Sequence, residues 1–505
     1  MIWSKIRRID LRTYEVLSMK IHIMPNWSEL GVEIPQFNDS IHQAQLFLEQ
    51  GQEVAFILCD YLPKLRGILS NKNIDKASVW SAFDVLQHID LSAPRPVALN
   101  DFTWPDYAEF MTLTDRILVN VSGQHYATIW SNQLSFDHID LFADDMMTQQ
   151  LIIDDRGFIS KVIVFDEGNK VRTDYLTPSG DIALQEDELT GLVTTQQLWT
   201  EQTQFSNMTV LIHELLSYYL NKIPDDENII ISPSVTTGEI LEDIAIKQPV
   251  IVSVQNNFVE VGKKLEQISD FIVTDNERHQ QQVIAFDGET KEVAIVPPYA
   301  TDMLDNEHPQ SPLVSLFISA HNLSVAQQTI VIAALINIIN EYDTTTVVFE
   351  TSDKISAMQK QIHEASLKAK NEHGLVDQDS QMAFKSRFHF LETQNEEQLL
   401  RYMKNTRILI DLDNEPNQFL QTVAINFSIP QINSTETVYL KPDKNGKVLA
   451  DLAELDQAIS FFLDSKKHFE IAQEVSADIQ AEYTSEMLWI KWQQVFNKIK
   501  SKMIS

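Results

Sequence analysis

The sequence predicts an α/β protein of two Rossmann-like domains, the first interrupted by an antiparallel β-meander. Three observations carry this expectation. Short apolar runs alternate with stretches of helical periodicity over residues 19–130, 205–300 and 301–470, the pattern of parallel strands joined by right-handed crossovers. Between 131 and 204 the alternation gives way to strand-like runs separated by glycine turns, as in hairpins. The chain of 505 residues is long enough for two to four domains at about 100–200 residues each.

The elements follow in order. Residues 1–18 carry Lys5, Arg7, Arg8 and Arg12 with no apolar segment behind them, so they do not read as a secretory signal. Met19 directly precedes the first strand-like run, Lys20–Pro25, and is an alternative start that leaves 1–18 an N-terminal extension. Phe37–Gln50 has helical spacing at Ile41, Ala44, Leu46, Phe47 and Leu48. Val54–Cys59 is a continuous apolar run, and both it and Arg116–Val121 are expected as strands of the first parallel set. In the meander, turns are expected at Asp154-Asp-Arg-Gly157, Asp166-Glu-Gly-Asn169 and Thr177-Pro-Ser-Gly180. Thr209–Tyr219 reads as a helix, and Asn228–Ser232, Pro249–Val254 and Asp270–Val273 as buried strands. Val293–Tyr299 contains Pro297 and Pro298 and reads as a linker.

The second domain, 301–470, is expected to hold strands Leu313–Ser319, Thr346–Glu350, Ser386–Leu391 and Arg407–Asp411, with a helix over Val325–Glu341. Asp443-Lys-Asn-Gly446 signals a hairpin turn, and Leu449–Leu463 an amphipathic helix. A C-terminal segment, 471–505, ends in a helix from Thr484 to Lys500, basic at Lys491, Lys498, Lys500 and Lys502 and apolar at Trp489, Trp492 and Phe496. It is expected to cross over and pack on both domains, with membrane-surface binding as the alternative.

Composition excludes several function classes. The formal net charge is −33, which opposes nucleic-acid binding and broad docking on anionic lipid. It suits a solubilising surface or a basic partner. No run of about 18 uncharged apolar residues marks a membrane span. The single cysteine, Cys59, lies in an apolar run and is expected to be a buried thiol in a reducing cytoplasm.

Two α/β domains with a hairpin insert and a terminal helix outline the GT-B architecture of glycosyltransferases. Within it, residues 407–431 resemble a donor-sugar site: a buried strand, a carboxylate loop, a helix, then Ser428-Ile-Pro430 leading into another strand. In such enzymes two glutamates, spaced as Glu415 and position 423 are here, flank the nucleotide sugar. Glu415 matches the first, but the second position is Val423, which neither binds a hydroxyl nor balances a charge. Sugar transfer also needs the leaving diphosphate neutralised. In the loop Ser319–Gln328, His321 stands where an arginine is expected, and Ala326 or Gln327 where a lysine is expected. His321, Glu415 and Val423 therefore read as remnants of a donor site, with no catalytic set and no cofactor.

Other chemistry is thinner. Pro25–Gly31 lacks paired glycines. Asp411-Leu-Asp413 and Asp377-Gln-Asp379 match the Asp-x-Asp pattern of cation-binding transferases, but in so acidic a chain they are expected as solvated loop carboxylates, and no metal site is assigned. His213-Glu214 lacks a second histidine, and neither a nucleophile elbow nor a phosphate-binding Gly-Lys loop is present. Trp104 and Tyr107 lie in an aromatic segment, Asn100–Phe110. They suit stacking on sugar rings, against the plainer reading that they anchor a loop on the core.

The runs Lys20–Trp27, Phe37–Phe47, Asp60-Tyr-Leu-Pro-Lys-Leu-Arg66 and Val79-Trp-Ser-Ala-Phe-Asp84 resemble one family, the first of the Asp proteins of the accessory Sec system in Gram-positive bacteria. The meander resembles the insert of the transferase subunits that glycosylate serine-rich repeat adhesins. The resemblance implies a non-enzymatic GT-B-like protein in the cytoplasm, extending to peripheral contact with the inner face of the membrane but not integral to it. Its implied partners are the second and third Asp proteins, the accessory Sec motor ATPase and the glycosylated serine-rich adhesin. The alternatives are an active GT-B glycosyltransferase or a glycosylation-chaperone subunit for the same adhesin.

Overall fold

Long apolar runs buried on both faces pair as parallel strands, because helices then cover each face of the sheet. The computed structural model describes residues 20–27, 37–90, 93–132, 135–196, 201–255, 265, 267–287, 291–302, 314–351, 357–364, 378–391 and 395–504. The expected extension 1–18, Met19, part of the Pro25–Gly31 loop and Asp377 lie outside them. The chain divides into two units, residues 1–34 with 43–272, and residues 35–42 with 273–505.

The first unit is built on a sheet whose central strand is Lys20–Met24, paired in parallel with Glu53–Leu58 on one side and Asn228–Ile231 on the other. Ser78–Ser81 and Val250–Val254 extend it outward, again in parallel. Phe271–Thr274 and Val293–Ile295 are further strands, so the segment expected as a linker contributes a strand. The unit boundary falls within Phe271–Thr274. Ile21, Ile23, Phe56, Ile230 and Ile251 are fully buried, each stabilising the fold by about 1.5–3 kcal/mol relative to exposure. Cys59 is buried and free, and burial pushes its thiol far up, beyond the range in which thiolate forms.

The second sheet of this unit has ten strands paired in chain order, from Ala108–Thr112 to Gln204–Phe205. The glycine turns fall where expected: Gly157, Gly168 and Gly180 all take positive φ between antiparallel strands, a conformation that costs a side chain about 1–2 kcal/mol. Arg116–Val121 corrects the reading above. It pairs antiparallel with Ala108–Thr112 and Gln124–Asn132, so it belongs to this sheet and not to the parallel set. Of its residues only Val119 is buried, in a small core with Ala127, Ile129, Ile139 and Ile153, and the composition of the segment does not distinguish a parallel strand from an antiparallel one.

The second unit holds a parallel sheet in the order Phe388–Leu391, Thr345–Glu350, Val314–Ser319, Ile408–Asp411, Gln431–Asn433, Gly446–Val448. The chain winds outward in one direction from Val314–Ser319 and in the other from Ile408–Asp411. That reversal is the place where α/β sheets hold ligands. The helix Val325–Glu341 forms as expected. Ser324 caps it, its hydroxyl accepting the Gln327 amide at 3.3 Å while Gln327 Oε1 accepts the Ser324 amide at 2.9 Å. The Asp443–Gly446 turn closes with Asp443 N–H donating to Gly446 O at 2.9 Å, but the strand after it pairs in parallel with Gln431–Asn433, so no hairpin forms. Leu452–Glu454 is a 3₁₀ turn before the helix Leu455–Leu463. Two helices, Lys466–Glu482 and Ser485–Ile504, end the chain. On the last, Leu488, Trp492, Val495 and Ile499 are buried. Among the described residues no helix is long and apolar enough to cross a membrane.

Gly446 sits where any Cβ would lie 2.5 Å from Gln431 O and 2.7 Å from the Leu440 side chain. Gly446→Ala is therefore expected to lower stability by about 1–3 kcal/mol, read as a lower urea midpoint. An unchanged midpoint would mean that this strand edge can yield.

Candidate functional site

The reversal point of the second sheet places the ends of three parallel strands side by side: Ser319, Glu350 and Asp411. The strand ends there leave backbone N–H groups that need acceptors. Asp413, only 5 % exposed, supplies them. Its Oδ1 accepts the N–H of His321 at 2.8 Å and of Asn322 at 3.1 Å, and its Oδ2 accepts the Ser319 hydroxyl at 3.2 Å. Asp411 does the same for its own loop, accepting the amides of Asp413 at 3.2 Å and Asn417 at 2.7 Å. The Ser434 hydroxyl completes the tie by donating to Asp413 O at 2.9 Å.

These carboxylates are thus neither solvated, as expected from the sequence, nor spread as cation ligands. Among the described residues no group of His, Cys, Asp and Glu is placed to hold a metal. Burial, together with the neighbouring Asp413 charge, pushes the Asp411 carboxyl up to about 7, although two amides oppose the shift. Glu350 is 1 % exposed and lies 3.7 Å from His321 Nε2. That contact raises the His321 pKa against the opposing effect of burial. The site is a set of three buried carboxylates with a half-buried imidazole beside them.

The residues singled out from the sequence are placed as follows. His321 sits at the mouth of this group, its backbone already bonded. Ala326 and Gln327, the positions expected for a lysine, lie in the first turn of the helix after the loop, and Gln327 is consumed by the cap. Glu415 is about half exposed, 3.7 Å from the Arg278 guanidinium. Val423 is 2 % exposed and packs within the apolar cluster of Phe317, Leu409, Phe419, Leu420 and Phe427, so that position belongs to the core. Trp104 and Tyr107 belong to the first unit. The Trp104 indole N–H donates to Leu99 O at 2.8 Å and its ring is edge-on to Phe102 and Phe110. Tyr107 is 89 % exposed.

Sequence reasoning missed four contributors. Glu350 ends an otherwise apolar strand, a charge at a strand's carboxyl end that could have been noticed. Arg278 donates to Asn414 O at 2.8 Å and carries no local signal. Asp275 bonds His279 Nδ1 at 2.5 Å and accepts the side-chain Nε2–H of Gln418 at 2.8 Å. Burial opposes charge on His279, but Asp275 outweighs it and raises the pKa.

Comparison places this geometry among known proteins. Residues 26–499 match the family of the accessory Sec system protein that is first of the Asp proteins. The chain is similar to the accessory Sec system protein of that name from Streptococcus gordonii, 23% identical over 492 residues, covering 89% of this chain and 93% of the relative. It is similar in fold to a chain in the crystal structure of accessory secretory proteins 1, 2 and 3 of Streptococcus pneumoniae, with TM-score 0.78, 23% identity and coverage of 95% of this chain and 99% of that one. The pneumococcal O-GlcNAc transferase GtfA, solved in complex with UDP and GlcNAc, has the same fold at TM-score 0.74 and 12% identity, covering 96% of this chain and 99% of that chain. The GT-B-like architecture expected from the sequence is thereby shown.

Two outcomes test the site. Asp413→Ala leaves the Ser319 hydroxyl and two amides without their acceptor, and is expected to cost ~2–3 kcal/mol, seen as a lower urea midpoint, with Asp413→Asn recovering part of it. The second concerns pH. Asp411 binds its proton more tightly folded, with a pKa of about 7, than unfolded, at 3.8. Its contribution is therefore full below the unfolded value and is lost as pH rises through the folded one. Asp411→Asn is expected to flatten the fall in stability between those two values, and an unchanged pH profile would contradict the assignment.

Proposed function

The chain belongs to the family of the first Asp protein of the accessory Sec system, and from that premise we propose that it acts in export by binding, without transferring sugar. Its partners on this reading are the second and third Asp proteins, the accessory Sec motor ATPase and the glycosylated serine-rich adhesin, met in the cytoplasm and at the inner face of the membrane. The observation that carries the non-catalytic part is the Asp413 carboxylate on the amides of His321 and Asn322. The backbone donors closest to the reversal point are already satisfied by an internal anion.

The electrostatics agree. A leaving diphosphate needs cations or free amides directed at its developing charge. Here it would approach Glu350, Asp411 and Asp413, faced by His321 and by an Arg278 that already bonds Asn414 O and lies beside Glu415. A second donor-side glutamate is replaced by a core valine. The GT-B scaffold then serves as a rigid platform for protein surfaces, and fold alone does not supply chemistry.

Calorimetric titration with UDP-GlcNAc and UDP-glucose tests the proposal. No heat of binding is expected up to millimolar ligand. Micromolar binding, or release of UDP that is lost on Glu415→Ala, would establish a transferase instead.

A further inference from the structure

The ten-stranded sheet has two edges, and they are built differently. One ends in Gln204–Phe205, a strand of two residues with Phe205 buried at 1 % exposure. Short, covered edges of this kind prevent pairing with other chains. The other edge is Ala108–Thr112, and its pairing with Arg116–Val121 runs without a register shift. It contains no lysine and no proline, and among the described residues no strand pairs with its outer side.

Backbone alternation fixes which groups face outward. Leu113 N–H donates to Arg116 O at 2.8 Å, so Leu113 and Arg116 form a hydrogen-bonded pair. Alternation along an antiparallel ladder then makes Met111 with Leu118, and Glu109 with Asn120, bonded pairs. Phe110 and Thr112 consequently direct their N–H and C=O groups away from the sheet. The side chains there are also unusually apolar for an edge: Phe110 is 42 % exposed, Met111 55 % and Leu113 44 %. Phe110 is held edge-on against Trp104 at 5.5 Å, so the exposed ring is fixed by packing.

We propose that Ala108–Leu113 is a docking edge that receives an extended strand of another polypeptide. The unpaired backbone groups of Phe110 and Thr112 define the occupant as a β-strand, since only a strand answers alternating donors and acceptors at that spacing. Charge narrows it further. Asp106, Glu109 and Asp115 flank the edge and are exposed, while Arg116, the cation beside it, is paired with Asp115 at 3.1 Å and stacked on Trp130. The incoming strand carries apolar residues opposite Phe110 and Met111 and a Lys or Arg opposite Glu109.

This inference rests on the binding role proposed above for its choice of partner, and hydrogen exchange on the assembly of this chain with the second and third Asp proteins tests it. Amides of 108–113 are expected to exchange roughly tenfold or more slowly in the assembly than in the free chain. Thr112→Pro removes one outward N–H and no ladder bond. It is expected to release the partner while leaving circular dichroism and the thermal midpoint unchanged. Assembly with unaltered exchange over 108–113 overturns the docking edge and leaves the binding role intact. Failure to assemble at all sinks both. Protection that appears in the free chain together with a doubled mass in sedimentation assigns the edge to a second copy and contradicts a strand supplied by a different polypeptide.

Discussion

The hydrogen bonds of the Asp413 carboxylate to the amides of His321 and Asn322 hold the centre of the second unit. They join the loop after Val314–Ser319 to the loop after Ile408–Asp411, across the one place where the sheet reverses its winding. In a sheet of this kind the reversal leaves a crevice with unsatisfied amides, and a ligand usually fills it. Here the Asp413 carboxylate accepts the amides of His321 and Asn322. The rest of the site follows: Asp411 must pin the segment that carries Asp413, and Glu350 must be balanced by His321.

Such an arrangement costs the protein its electrostatic ease. Three carboxylates are buried within one group, and a buried like-charge cluster disfavours full ionisation. Burial, and after it the neighbouring Asp413 charge, raises the pKa of Asp411. Charges of this kind are retained in folded proteins when the backbone they satisfy would otherwise be orphaned. The same cluster that organises the loops would repel an anionic donor, which is the electrostatic basis of the non-catalytic reading proposed for this site.

Much of this was legible in the chain. The helix Val325–Glu341 was expected from its helical periodicity, and the Ser324–Gln327 capping box in the structure fixes where it starts. The turns at Gly157, Gly168 and Gly180 were readable because positive φ favours glycine. Arg116–Val121 was misplaced because an apolar run does not encode the direction of its partner. The turn at Asp443–Gly446 was found, but its local chemistry says nothing about the parallel pairing that Gly446–Val448 makes. At the site, Glu415 and His321 could be named from spacing. The burial of Asp411 and Asp413 could not, because it depends on backbone donors contributed about 90 residues earlier in the chain.

A crystal structure of the protein grown with millimolar UDP examines the central claim most directly. The account predicts no nucleotide at the reversal point, with Asp413 still bonded to the amides of His321 and Asn322. A diphosphate seated on those amides, with Asp413 displaced, would contradict it.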